Sequence, residues 1–396
     1  MNELDIILKE PLAKDAVQEA AYWLNFADEG IVRFVIDPVD RDRVRVWALP
    51  SSSADTVEAK VHATLERFTE SFSSVESSSE DSVRRIGGSP DNDCSQFDPD
   101  TIIEAGLLNQ LGFADVEIRG ITVVLTRAFD EVFRKIGTRM GGQERAYSTL
   151  LPIDFLEHCR YFDAFPQNIM YPAMMHADVD AANRFVTKTL ANEGRPPRDF
   201  TGFTDRTHVL APAACFHVYL ANANETLLDN TIITTLGRCY RYEGRNARTL
   251  ERLWDFQMRE LVFLGDQTFV EECRRQTQHK VLELVEQWGL SGVVETGHDP
   301  FFLRGGHLDC ELADEPKFEL RLDLPYRHAD FACASFNNSG TFFSSTSDIM
   351  LANGSPAWTG CSAFGIERWA WAVLAQHGPD PDHWPQSLQK LIKESD

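Results

Sequence analysis

The residues best suited to chemistry lie between Gly237 and Gly265, in the stretch GRCYRYEGRNARTLERLWDFQMRELVFLG. Arg241 and Glu243 are two apart and so share one face of a strand-like run. Arg252, Phe256 and Glu260 recur at intervals of four and share a face of the next run. The rigid forks of the arginines offer paired donors to a polyphosphate. Phe256 can stack on a purine, and a carboxylate can accept from an exocyclic amine. At a rise of ~3.3 Å per residue, Phe256 and Glu260 stand ~13 Å apart, room for a base at one end and an acyl substrate at the other. Taken alone, the pattern also fits a solvated hairpin carrying salt bridges. The chain has no lysine-bearing phosphate loop, no GxGxxG turn after a strand, no GxSxG elbow and no HExxH helix. Any ATP must therefore be held by side chains.

Holding those groups side by side takes a sheet with long neighbouring strands. Strand-like runs occur at 216–220, 231–243, 253–264, 318–324 and 330–336. A long helix is expected at 268–288. A second, at 121–136, gathers Leu125, Phe129, Val132, Phe133 and Ile136 on one side. A third, at 366–377, stops at Gly378-Pro379. Long strands with few crossover helices predict an α+β fold with an antiparallel sheet. Residues 1–72 read as a small α/β unit, with helical stripes at Leu12, Ala16, Ala20 and Leu24 and at Val57, Val61, Leu65, Phe68 and Phe72. Residues 73–98 are Ser/Asp-rich and read as a linker, leaving 99–396 as the catalytic domain.

Among the 396 residues, 61 acidic against 38 basic side chains give a formal charge of −23. This argues against a surface built to grip long nucleic acid. The eight cysteines form no CxxC pair, so a disulfide framework is not expected and a reducing compartment is. No run approaches the ~20 apolar residues that cross a bilayer, and MNELDIILKEP lacks the basic and apolar regions of a secretory signal. The expected location is the cytoplasm, with no membrane partner.

The Gly237–Gly265 stretch resembles the second signature motif of class II aminoacyl-tRNA synthetases, an RxE, a loop, then RxxxFxxxE. CSAFGIER, ending at Arg368 and followed by the helix WAWAVLAQHG, resembles their third. The resemblance implies an antiparallel sheet flanked by helices and ATP held by Arg241 (α-phosphate), Glu243 (adenine amine), Arg252 (γ-phosphate), Phe256 (adenine stacking) and Arg368. Arg241 and Arg368 would form the catalytic clamp. It also implies a homodimer formed through the helix at 121–136. APAACFHVY, MRELV and WTGCSAFGIER place Cys215, Glu260 and Cys361 where atypical, zinc-dependent seryl-tRNA synthetases and the related amino acid–carrier-protein ligases hold Zn2+. A fourth zinc position would take the substrate amine. PKFEL and FACASFN resemble segments of the carrier-protein ligases, which makes Glu319, Ser335 and Asn337 substrate-binding candidates, with Asp330 or Glu319 for Mg2+. Asn338-Ser339-Gly340 departs from that family's pattern. The resemblance spans roughly 97–377.

The function so implied is ATP-dependent activation of a small amino acid (glycine, alanine or serine) as its adenylate. Transfer to the phosphopantetheine thiol of a carrier protein would follow. The short N-terminal unit and acidic balance weigh against tRNA as acceptor, and tRNA charging or a catalytically altered binding protein are the alternatives. His158, His217 and His298 read as ordinary histidines rather than ligands. Arg274, Arg275, His279 and Lys280 read as a solvated helix face, with a dock for an acidic carrier protein as the alternative.

Overall fold

Strand-forming residues dominate the second half of the chain, and in the computed structural model they assemble into one eight-stranded sheet. The structure describes residues 1–13, 16–37, 39–72, 83–88, 97–198, 200–297 and 317–394. The N-terminal unit is built from β1 (Asn2–Ile7), α1 (Val17–Leu24), β2 (Ile31–Ile36), β3 (Arg43–Ala48) and α2 (Ala54–Phe72). Its three strands pair antiparallel in the order β1-β3-β2. Alternation along the strands points Ile6, Val44 and Val46 at the helices, where they are buried with Ala20, Leu24, Val57, Val61 and Leu65.

The large sheet comprises β4 (Arg84–Ile86), β5 (Gln143–Glu144), β6 (Thr231–Tyr240), β7 (Asp255–Gly265), β8 (Gly292–Thr296), β9 (Phe318–Leu324), β10 (Ala329–Asn338) and β11 (Trp358–Gly365). Their order is β4-β8-β9-β10-β11-β7-β6-β5, and every pairing is antiparallel except β6 with β5. The α+β sheet read from the sequence is thus the one observed. Arg84–Ile86, inside the stretch read as a linker, forms its edge strand. Ile86 is buried there, and Arg85 donates to Asp323 with a second bond at 3.0 Å. The rest of that stretch, apart from 83–88 and the last two residues, lies outside the described residues.

One face of the sheet is closed by α3 (Ile121–Arg139) and by two later helices, Gln267–Gln287 and Ile366–His377. Phe129, Phe133, Leu261, Phe263, Phe336, Phe364 and Trp369 are all fully buried there, with Phe133 stacked on Phe364 at 4.1 Å. Burying each such side chain contributes about 1.5–3 kcal/mol. The other face holds a second apolar cluster, with Ile233, Val262 and Leu264 buried in it, beside polar residues such as Glu260. Part of it is covered by α4 (Cys215–Ala221), a helix where the sequence predicts a strand at 216–220. Its seven residues are apolar or buried almost throughout, so no periodicity distinguishes helix from strand. No helix among the described residues is long and apolar enough to cross a membrane. We label the helices at Gln267–Gln287 and Ile366–His377 α5 and α6.

Candidate active site

Register puts the expected site residues on one face. Glu260 lies opposite Ala363 on β11, which lies opposite Ser335 on β10, which lies opposite Glu319 on β9. Cys361 is two residues from Ala363 and opposite Asn337. Phe256 is four residues before Glu260 on β7. A period of two therefore aims Glu319, Ser335, Asn337, Cys361, Glu260 and Phe256 to the same side.

Cys215 arrives from above, at the first turn of α4. The Ala214–Cys215 segment can lie against the sheet because β6 has Gly237 beneath it; a Cβ there would stand 2.8 Å from the Ala214 Cβ. The Ala214 and Cys215 N–H groups donate to the two Glu260 oxygens at 2.8 and 3.1 Å. Ligand atoms of Cys215, Glu260 and Cys361 all lie within 4.8 Å of one another, and all three residues are buried. Asn337 Nδ2 donates to the Cys361 Sγ at 3.3 Å and to the Ser335 Oγ at 3.1 Å.

The proton chemistry of this cluster follows from crowding acids in a dry place. Burial pushes the Glu260 carboxyl up. The hydrogen bond with Cys361 and burial push the Cys215 thiol well up. Burial thus disfavours the charged forms of Glu260 and Cys215, and a bound cation would favour them. Two sulfurs and one carboxylate oxygen, pre-gathered and hydrogen-bonded from outside, suit zinc with an open fourth position. Of the tempting histidines, His217 stacks on Tyr147 and faces the Leu150 carbonyl at 3.2 Å. His158 meets the Asp154 carbonyl of its own helix, and His298 lies outside the described residues. Tyr219, one turn after Cys215, is a buried neighbour of the cluster that the sequence did not single out; its hydroxyl has no described hydrogen-bond partner.

The arginines gather at the other end. Arg241 and Glu243 were expected within a strand, but β6 ends at Tyr240 and both sit in the turn beyond it. Glu243 is followed there by Gly244 at φ +55°. Arg241 Nε donates to the Pro212 carbonyl at 3.0 Å, and its guanidinium lies 5.5 Å from the Phe256 ring centre. Arg252 precedes β7 and donates to Glu243 at 2.8 Å, so this glutamate has a cationic partner. Arg368, in the first turn of α6, donates to the Glu251 and Ala332 carbonyls, both at 2.8 Å. Burial, helped by the like charge of Arg252, pulls the Arg368 guanidinium down to about 10. Cations held together at such a cost favour a polyanion.

Toward β9, Glu319 accepts from Lys317 at 3.0 Å, with Arg321 at 3.6 Å. Burial opposes ionisation of Glu319, but these two cations outweigh it and hold the carboxyl down. Asp330, the other magnesium candidate, is tied to Arg321 at 2.7 Å. Glu367, which sequence reasoning passed over, accepts the Gln257 N–H with both oxygens, at 3.0 and 2.9 Å. It thereby pins α6 to β7. The expected solvated face of α5 is only partly so: Arg275, His279 and Lys280 pair with Glu272 and Glu283, whereas Arg274 is 2% exposed and lies over Phe318.

No protein-family profile matches the chain. In sequence it is similar to the type-2 serine–tRNA ligase of Methanothermobacter thermautotrophicus, at 30% identity over 279 residues. It is also similar to that of Methanocaldococcus jannaschii, at 32% over 280. Each match covers 68% of this chain and 54% of the relative, so the matched region spans about half of those proteins. In fold it is similar to M. kandleri seryl-tRNA synthetase, crystallised in complex with A. aeolicus tRNASec. There the TM-score is 0.72 at 22% identity, covering 99% of this chain and 77% of that one. The cytoplasmic serine–tRNA ligase of Naegleria fowleri, in complex with AMP, gives 0.61 at 12% identity, covering 86% and 72%.

These findings overturn two expectations, a carrier protein as acceptor and tRNA as an improbable partner. The relatives are named as tRNA ligases, and the fold match that includes nearly the whole chain was crystallised with a tRNA. The carrier-protein reading rested on the PKFEL and FACASFN resemblance, and the case against tRNA on the short N-terminal unit, the Ser/Asp-rich linker and the net charge, which sums over the whole surface and is silent about any one face. The exposed face of the N-terminal sheet carries Arg33 and Trp47, with Arg43 and Arg45 paired to Asp5 and Glu3 of β1 at 3.1 and 3.7 Å. The chain is thus a homologue of the archaeal type-2 serine–tRNA ligases, built on the catalytic-domain fold of the class II aminoacyl-tRNA synthetases.

Proposed function

We propose that this chain activates serine with ATP and transfers the seryl group to tRNA. The observation that carries the reading is the Cys215–Glu260–Cys361 trio at one end of β7 with the cations at the other, where Arg241 lies beside Phe256 and Arg252 and Arg368 are close enough to feel each other's charge. An amino acid has an amine at one end and a carboxylate at the other, and the site offers a ligand set for the first and a phosphate site for the second. When bound, zinc would supply a Lewis-acidic position for the free amine. Asn337 and Ser335, hydrogen-bonded beside Cys361, border the place where a short hydroxylated side chain would lie.

The protein's own residues do the remaining work. Phe256 offers a plate for adenine. Arg241 and Arg368 stabilise the charge that builds on the α-phosphate as the carboxylate attacks it and pyrophosphate leaves. Arg252 is released from Glu243 to the γ-phosphate, and Glu243 is then free to accept from the adenine amine. Glu319, kept ionised by Lys317 and Arg321, is the candidate contact for Mg2+ on the phosphates. In the second step a ribose hydroxyl of tRNA attacks the acyl carbon and AMP departs. Support for tRNA comes from the relatives' names.

Charging of total tRNA with labelled serine tests this reading. Arg241→Ala should reduce the rate by about 100- to 1000-fold, the loss typical of one preorganised charge stabiliser. Charging that is absent in the wild-type chain, or equal in the variant, removes the proposal.

A further inference from the structure

Helix α1 does more than cover its own sheet. The Tyr22 hydroxyl donates to Asn168 Oδ1 at 3.2 Å and accepts from Gln167 Nε2 at 3.3 Å. The Asn168 carbonyl in turn accepts the Tyr242 N–H at 3.0 Å. Two residues on, Gly244 comes so close to α1 that a Cβ would stand 3.2 Å from the Asn25 carbonyl oxygen and 3.6 Å from the Phe26 ring. Its neighbour Arg245 donates to the Glu29 carbonyl at 3.3 Å. The guanidinium of Arg252 lies 5.9 Å from the centre of the Tyr22 ring. The turn between β6 and β7, which carries Arg241, Glu243 and Arg252, is therefore gripped from outside by the N-terminal unit. Burial, and next the nearby Glu243, push the Tyr22 phenol up to about 12, so it stays a neutral donor.

We infer that Tyr22 is a positioning residue for nucleotide binding: through Asn168 it holds residues 241–252, and Arg252 among them, in the conformation that receives ATP. The inference rests on the reading of that turn as the nucleotide contact. A loop ordered before its ligand arrives forfeits less entropy on binding, and the gain appears as affinity for that ligand alone. Coupling of this kind is reciprocal, so ATP should also tighten the attachment of α1. The N-terminal unit is then a part of the ATP site as well as an appendage to it.

The test uses the full chain with Tyr22→Phe, Asn168→Ala and the double variant. Tyr22→Phe keeps the ring beneath Arg252 and removes both hydroxyl bonds. It should raise the KM for ATP in serine-dependent pyrophosphate exchange about fivefold (about 1 kcal/mol), with kcat within about twofold and the KM for serine unchanged. The double variant should be no worse than the worse single, since both break one chain of contacts. Hydrogen exchange of residues 241–252 without nucleotide should speed up in each variant. An unchanged KM for ATP, or a rise shared equally by ATP and serine alongside a lower melting temperature, overturns the inference. Wild-type chain that binds no ATP would instead remove the nucleotide reading. The two failures are separable, because hydrogen exchange reports the grip of Tyr22 on the turn with no nucleotide present.

Discussion

Gly237→Ala is a substitution of one methyl group, and the structure gives its consequence a size. The new Cβ would stand 2.8 Å from the Ala214 Cβ and 3.6 Å from the Ala214 Cα. Carbon atoms in contact prefer about 3.5–4.0 Å, so something must retreat by about 1 Å. The strand will not, because β6 is paired with β7 along its whole length, from Thr231 opposite Leu264 to Tyr240 opposite Asp255. The Ala214–Cys215 segment yields, and it carries one of the three expected ligands. Metal–ligand distances tolerate only about 0.2 Å, and disturbing the groups that orient ligands typically weakens binding about 10- to 100-fold. Zinc affinity measured by competition with a chromogenic chelator should fall by that factor. Stability of the metal-free chain should change little, since alanine in a strand is otherwise preferred to glycine by about 0.5–1 kcal/mol. Equal zinc affinity in the two proteins would refute the reasoning, because it would mean that the approach of α4 to the sheet does not set the cluster.

Two further expectations concern stability. Burial raises the Glu367 carboxyl from 4.5 to about 7 despite the Gln257 N–H beside it. The folded state therefore keeps a proton that the unfolded chain releases, so this stabilisation is present below about pH 4.5 and is lost as pH rises through about 7. Across that window wild type should lose about 3 kcal/mol that Glu367→Gln does not lose, read as the difference between their urea midpoints at several pH values. Arg259 is 2% exposed and donates to Asp130 at 2.7 and 3.0 Å and to Glu144 at 3.1 Å, tying α3 to β7 and β5. Arg259→Met should destabilise by about 2–4 kcal/mol in chemical denaturation, near the usual loss for breaking a buried pair and reduced by the partial exposure of Asp130.

The parts legible in the sequence were those governed by local periodicity. The period of two placed Phe256 and Glu260 on one face, and the apolar stripes of α3 and α6 marked the covered side of the sheet. The Cys215, Glu260 and Cys361 trio came from resemblance; strand register explains why Glu260 and Cys361, 101 positions apart, come together, and the approach of α4 over Gly237 explains Cys215. What periodicity could not settle was the state of Cys215–Ala221, where apolar residues leave no face to distinguish. Composition misled at Arg84–Ile86, a strand inside polar surroundings, and at Arg274, a cation buried over an aromatic ring. Net charge also weighed against tRNA, although the relatives are named as tRNA ligases. Contacts between distant segments, such as Tyr22 with Asn168, leave no trace in either chain segment read alone.

A crystal structure with a non-hydrolysable seryl-adenylate analogue, collected at the zinc absorption edge, reaches the centre of this account. The account predicts an anomalous peak among Cys215, Glu260 and Cys361 with the amine of the analogue as its fourth neighbour. The adenine should lie against Phe256 and the phosphate between Arg241 and Arg368. An analogue bound elsewhere, or bound with its amine away from those three side chains, would contradict it.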